Sequence, residues 1–248
     1  MSTSRSIGRV SSASDLSITI PSALAAEVWI DFDGTITSKD VLDQLIVNWA
    51  ADEDWRVAET LWQRGEIGSF QCLTRQFDCV RILPDALDRF VAGIPIDPGA
   101  NALFDLLRAK AVPTAILSDG VEQFIRPILA RAGIIDAVVR SNRIEHLGDR
   151  LKLLCPHRSD GCTSAAAHCK CSSMAALGSD DRVSIYIGDG RSDLCPARSA
   201  DVVFAKGTLA KSLAAEGRTF LMFDTLLDVA DQLAQAWRSE SASPREDT

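Results

Sequence analysis

Five short apolar runs, each closed by a polar or Gly-rich turn, limit what this chain can fold into: VWIDFDG (28–34), VPTAILSDG (112–120), AVVRSN (137–142), VSIYIGDG (183–190) and DVVFAKG (201–207). Apolar runs without alternation are strands buried on both faces, and a sheet covered on both faces is mostly parallel, with helices crossing between its strands. The intervening segments have that character. Leu103, Leu106, Leu107 and Lys110 recur at helical spacing after Pro98, and Phe124, Ile125, Ile128 and Leu129 do so ahead of a stop at Gly133. The expected fold is α/β, a Rossmann-like core around a mostly parallel sheet.

Residues 38–97, between the first and second strands, are too many for a connection in a compact unit. Their apolar residues fall on helical faces: Val41, Leu42, Leu45, Ile46 and Trp49, then Ala58, Leu61 and Trp62, then Leu73, Phe77 and Val80. We expect an inserted helical cap there, with the core formed by 27–37 and 98–238. A second insertion, about 141–170, opens with a hairpin, SNRIEHLGDRLKLL, turning at Leu147, Gly148 and Asp149. Residues 1–26 are Ser-rich, and their apolar stretch is broken by Pro21. They read as a disordered extension rather than a secretory signal, and 239–248 as a flexible tail.

The net charge of -8 and a pI near 4.9, with no Lys/Arg run, disfavour nucleic acid as a partner. No apolar run approaches the roughly 20 residues that span a bilayer. The expected partner is a small molecule, and the expected state a monomer or homodimer. Seven cysteines, an odd number lying partly in helical patterns, fit a reducing compartment, the cytoplasm.

Ligands of open α/β sheets collect beyond the carboxyl ends of the strands, where Asp31, Asp33, Ser118, Asp119 and Asp189 fall. In an extended segment Asp31 and Asp33 point to the same side while Phe32 packs the other way, and Gly34 lets the chain turn tightly beside a ligand. Two carboxylates near 4 Å apart repel by about 4 kcal/mol at an effective dielectric of about 20, so a cation belongs there. Mg²⁺ suits such hard oxygen donors. Asp189 would complete its protein ligands, and Asp193, near the start of a short helix, would orient the metal or its water from behind.

DFDGT, then ILSDG, then a Lys, then GDGRSDL before a helix, resembles the four-motif order of the haloacid dehalogenase (HAD) superfamily phosphohydrolases, over about residues 27–230. The cap position is similar to the phosphoserine phosphatase type, subfamily IB. CPHRSDGCTSAAAHCKC and DLCPARSADVVFAKGTLAKSLAAEG are similar to the methionine-salvage phosphatase branch. The resemblance implies a HAD core and Mg²⁺-dependent phosphomonoester hydrolysis. Asp31 would be the nucleophile that forms an aspartyl-phosphate, and Asp33 the general acid and base. Ser118, Lys170 and the backbone around Gly34, Asp119 and Gly120 would hold phosphoryl oxygens. Mg²⁺ would sit on Asp31, the Asp33 carbonyl and Asp189, with Asp193 in support.

The branch's substrate, 2-hydroxy-3-keto-5-methylthiopentenyl-1-phosphate, is the first expectation and a phosphorylated amino acid such as phosphoserine the second. A phosphotransferase would share these residues. A catalytically silent metabolite-binding protein would not need an acid two residues beyond a nucleophile. Two features depart from the relatives' pattern. Asp119 stands where Gly is frequent, adding negative charge unless its side chain turns away. The order Cys169, Lys170, Cys171, Ser172 leaves open whether Lys170 or a neighbour is the motif lysine.

Asp40 is the candidate substrate contact, or else a helix-terminal carboxylate. Arg64 and Arg75 read as solvated, or else as anion contacts, and the cap tryptophans as core. Cys155, Cys162, Cys169 and Cys171, with His157 and His168, offer the ligand types of a Zn²⁺ site. Their spacing lacks the short Cys-x2-Cys knuckles, so free thiols or a redox-labile pair are the expectation over a structural Zn²⁺.

Overall fold

The structure, a computed structural model, describes residues 18–239. Among the described residues seven strands form one sheet: β1 (Ala26–Ile30), β2 (Thr114–Val121), β3 (Val138–Leu147), β4 (Arg150–Leu154), β5 (Val183–Gly188), β6 (Val202–Ala205) and β7 (Leu221–Met222). Their spatial order is β4-β3-β2-β1-β5-β6-β7, and every pairing is parallel except β3 with β4. This is the expected α/β, mostly parallel sheet. The chain leaves β1 for β2 on one side and returns to β5 on the other, so the crevice beyond β1 and β5 is where the strand order reverses and ligands collect.

Alternation along β1 divides the core between the two faces. Val28 and Ile30 pack among Ile116, Ile185, Phe204 and the helices α5 (Ala100–Ala109), α6 (Glu122–Arg131) and α10 (Leu226–Ser239). Trp29 joins Leu117, Tyr186, Met174 of α7 (Lys170–Leu177), Ala197 of α8 (Leu194–Ser199) and Leu209 of α9 (Gly207–Ala215). Asp97, buried, accepts from the amides of Gly99 and Leu226 and so ties the starts of α5 and α10 together.

Between β1 and α5 lie four helices, α1 (Val41–Trp49), α2 (Asp54–Gln63), α3 (Ser69–Cys79) and α4 (Pro84–Ala92). The last begins on a proline at its first position, where a missing N–H costs nothing. The segment's two ends are stitched by a bridge between Thr37 and Ile96 and by the amide of Asp97 donating to Ile36. Its apolar residues, Val41, Leu45, Phe77 and Val80 among them, run continuously into the main core.

Two local expectations differ from the structure. Ile18 and Ile20 pack against the core, and the Trp237 indole donates to the Pro21 carbonyl at 2.9 Å, so residues 18–25 are part of the folded unit. The rest of the expected extension, and of the expected tail beyond 239, lies outside the described residues. The turn expected at Ser118-Asp119-Gly120 is strand: β2 carries on past an irregularity to pair Val121 with Asn142, because β3 continues without a break into the hairpin with β4.

Candidate active site

Asp31 emerges from β1 with its amide donating to Ile187 of β5, which fixes it at the crevice between the two strands. Its carboxylate is almost fully buried. The ammonium of Lys170, the first residue of α7, donates to Asp31 Oδ1 at 2.6 Å and to Asp193 Oδ1 at 2.6 Å. Lys170 is 3% exposed, so this bridge is formed out of water, where an unpaired charge is costly. Burial works against the ammonium, but Asp193 and Asp31 outweigh it and hold the lysine pKa well above the ordinary value.

Asp193 is 0% exposed and fully engaged. Beyond Lys170, its Oδ1 accepts from the Tyr186 hydroxyl at 2.6 Å, and its Oδ2 from the amides of Asp189 and Gly190 at 3.1 and 2.9 Å. Nothing in the sequence reading marked Tyr186, although its place two residues before Gly188 on β5 sets it on the Trp29 face beneath the site. Asp189 accepts from the Thr35 hydroxyl at 2.8 Å. A Cβ on Gly34, whose φ is +77°, would lie 2.5 Å from Asp189 Oδ2, so only glycine allows the two loops to meet.

Asp33 accepts from the amide of Val41 at 3.1 Å and from the Ser118 hydroxyl at 3.1 Å. Ser118 Oγ in turn accepts from the Gly120 amide at 2.7 Å. Burial pushes the Asp33 carboxyl up to about 6 against those bonds. It also raises Asp31, with the charge of Asp193 adding to the effect, and lifts Asp189 to about 6 together with Asp193. Burial is the largest cause of all three shifts, and at Asp31 and Asp189 the neighbouring carboxylates add to it.

The carboxylates of Asp31, Asp189 and Asp193 bring ligand oxygens within 4.8 Å of one another. An all-oxygen, anionic set with a charge deficit fits a hard divalent cation of the Mg²⁺ kind.

Asp119 does not present its carboxylate to this cluster. Its Oδ2 accepts from the hydroxyl of Ser69, at the start of α3, at 2.7 Å, and its Oδ1 from the amide of His168 at 2.7 Å. Ser69 Oγ also accepts from the amide of Ala167. The acidic residue that seemed out of place thus ties the helical segment to the loop before α7. Asp40 caps α1, accepting from the Asp43 amide at 2.9 Å, and also lines the cavity. Arg64 sits exposed beside Glu66. In the cysteine-rich stretch Cys171 donates to Cys195 and the Cys162 thiol to Cys169.

His168 is 1% exposed, with Nδ1 2.9 Å from the Ser118 carbonyl and Nε2 2.7 Å from Ser173 Oγ. Burial, with Lys170 and His157 adding to it, lowers its pKa from 6.5 to about 3. The unfolded chain therefore takes up a proton below about pH 6.5 that the folded chain refuses until about pH 3, and stability falls as pH drops through that window. Between pH 7 and 5 the wild type is expected to lose on the order of 2 kcal/mol more than His168→Gln. Urea unfolding at the two pH values measures it, and equal losses would contradict a neutral buried imidazole.

Residues 28–198 match the family model of the haloacid dehalogenase-like hydrolases. The chain belongs to that family. This HAD hydrolase is 27% identical over 216 residues to a 2-hydroxy-3-keto-5-methylthiopentenyl-1-phosphate phosphatase of Exiguobacterium sibiricum, across 85% of this chain and 97% of the relative. It is 28% identical over 218 residues to the protein of the same name from Brevibacillus brevis, across 84% and 96%. Its fold is that of a substrate-bound phosphoserine phosphatase complex, with a TM-score of 0.62 at 15% identity over 84% of this chain and 97% of the other. The unliganded probable phosphoserine phosphatase from Vibrio cholerae gives 0.67 at 18% identity, over 90% and 69%.

Proposed function

We propose that this HAD hydrolase is a Mg²⁺-dependent phosphomonoesterase working through an aspartyl-phosphate on Asp31, with 2-hydroxy-3-keto-5-methylthiopentenyl-1-phosphate as its substrate. The observation that carries the reading is the placement of two differently held carboxylates at one strand end. Asp31 is clamped by Lys170 as a nucleophile must be, while Asp33 is poised near neutrality by burial and held by Ser118 and Val41.

Asp31 attacks phosphorus, and Asp33 gives its proton to the departing alkoxide. The Asp33 carboxylate then takes a proton from water, whose oxygen attacks phosphorus and frees Asp31. Lys170 and the Ser118 hydroxyl offer donors to the phosphoryl oxygens as charge spreads over them. Asp31, Asp189 and the Asp33 carbonyl would hold Mg²⁺, which when bound supplies Lewis-acid stabilisation of the phosphoryl charge. Asp193, with both oxygens engaged by four donors, acts from behind by fixing Lys170 and the Asp189 loop.

The helical segment 38–97 serves as the cap that selects the leaving group. The site opens into a cavity of about 420 Å³. On the cap side Leu42, Trp62 and Leu73 supply apolar surface, while Asp43, Glu59 and Gln76 supply acceptors and an amide. None of the described cap residues on that wall is Lys or Arg. A hydroxyl-bearing leaving group with an apolar thioether tail suits such a wall, whereas the carboxylate of phosphoserine would face Asp43 and Glu59 on it; the cation that lines the cavity, Arg191, belongs to the core and donates to the Gln63 carbonyl at 3.0 Å.

Initial rates of phosphate release from a panel of phosphomonoesters test this. With Mg²⁺ we expect the keto-enol phosphate to exceed phosphoserine by at least about 100-fold in kcat/KM, because the cap wall sets the carboxylates of Asp43 and Glu59 against a third one on the substrate. Chelation should stop release. Preference for phosphoserine, or release indifferent to chelation, would overturn the assignment.

A further inference from the structure

The proposed chemistry leaves one close pair of thiols unused. The Sγ atoms of Cys171 and Cys195 lie 3.1 Å apart, about 1 Å from disulfide bonding distance. Both thiols are free and half-buried, and both line a second cavity of about 550 Å³ that shares Asp119, Arg191 and Ser192 with the first. A small solute in that cavity can reach them.

Their position in the fold gives the pair a consequence. Cys171 follows Lys170 in the first turn of α7, and Cys195 lies two residues beyond Asp193 in α8. The two helices pack together, and the Lys170–Asp193 ion pair crosses the same gap.

We propose that Cys171 and Cys195 are a modification site, a reversible disulfide that braces the gap spanned by Lys170 and Asp193. It forms by exchange with a low-molecular-weight disulfide such as glutathione disulfide. One thiol of the pair, as its thiolate, attacks a sulfur of the reagent, and one glutathione leaves with the proton. The second thiol then attacks the protein sulfur of the mixed disulfide and expels the other glutathione. The two cysteines lose two electrons and two protons, and the reagent gains them as two thiols.

The half-cystines are 24 positions apart, so the bond removes freedom chiefly from the unfolded chain. The oxidised protein should melt higher by roughly 6–12 °C.

The test takes the full-length protein, reduced or incubated with glutathione disulfide, through alkylation, proteolysis and mass mapping beside thermal melts. A Cys171–Cys195 linked peptide, lighter than its two parts by two hydrogens, is expected together with the higher Tm. Cys195→Ser and Cys171→Ser should each melt like the reduced wild type and gain nothing from oxidation. The neighbouring Cys162 and Cys169 make the mapping decisive. A bond between those two, glutathione adducts without a linked peptide, or an oxidised wild type that melts no higher would each overturn the proposal. None of these readouts depends on the substrate or on turnover.

Discussion

Asp31→Asn is expected to fold, to melt no lower than the wild type, and to release phosphate at least ~10⁴-fold more slowly, or more than ~5 kcal/mol of lost transition-state stabilisation. The amide keeps the shape of the carboxylate but cannot attack phosphorus. Stability should survive because burial and the charges of Asp193 and Asp189 already raise the pKa of Asp31. A raised carboxyl pKa means that at neutral pH the charged form costs more in the folded chain than in the unfolded one. The neutral side chain relieves that cost, and Lys170 keeps its bond to Asp193.

Single-turnover phosphate release and a metal-free thermal melt at pH 7 measure the two effects. Release at the wild-type rate would place the nucleophile elsewhere. A large drop in Tm would mean that Lys170 depends on Asp31 more than on Asp193.

What could be read from residues alone followed from periodicity and strand-end chemistry. VWIDFDG and VSIYIGDG are mostly apolar because both faces of their strands are covered, so Asp31 and Asp189 were legible as carboxyl-end residues, while the pairing of β1 with β5 that makes those ends neighbours was not. The glycine at 34 was legible as a close approach, since no other residue tolerates both its φ and its distance to Asp189.

Asp119 was not legible. Its charge looked like a defect in a phosphate site, because its partners, Ser69 and His168, lie 50 and 49 positions away on segments whose placement depends on the whole fold. Trp62 was read as core, yet it lines the cavity, since a helical face that touches both neighbours and ligand has the same period as one that touches neighbours alone. Tyr186 was hidden within an apolar strand, where an aromatic residue is ordinary and only the buried Asp193 beneath the site gives its hydroxyl a use.

Lys170→Met should produce the largest loss of stability of any single change in the site. The lysine bridges two carboxylates at 2.6 Å each in a region closed to water. Its removal leaves Asp31 and Asp193 facing one another without a cation. Breaking a buried ion pair in this one-sided way costs about 3–5 kcal/mol, which in a chain of this size lowers Tm by roughly 6–20 °C.

The cause is uncompensated charge rather than lost packing, since methionine replaces most of the aliphatic stem. Adding Asp31→Asn to Lys170→Met should therefore recover a large part of the lost Tm while restoring none of the activity, a coupling that additive effects cannot produce. A double variant that melts at the sum of its parts would mean the ion pair contributes nothing. Melts of the wild type, both single variants and the double variant in one metal-free buffer, beside their phosphate release, separate the role of Lys170 in holding the site together from its role in the chemistry.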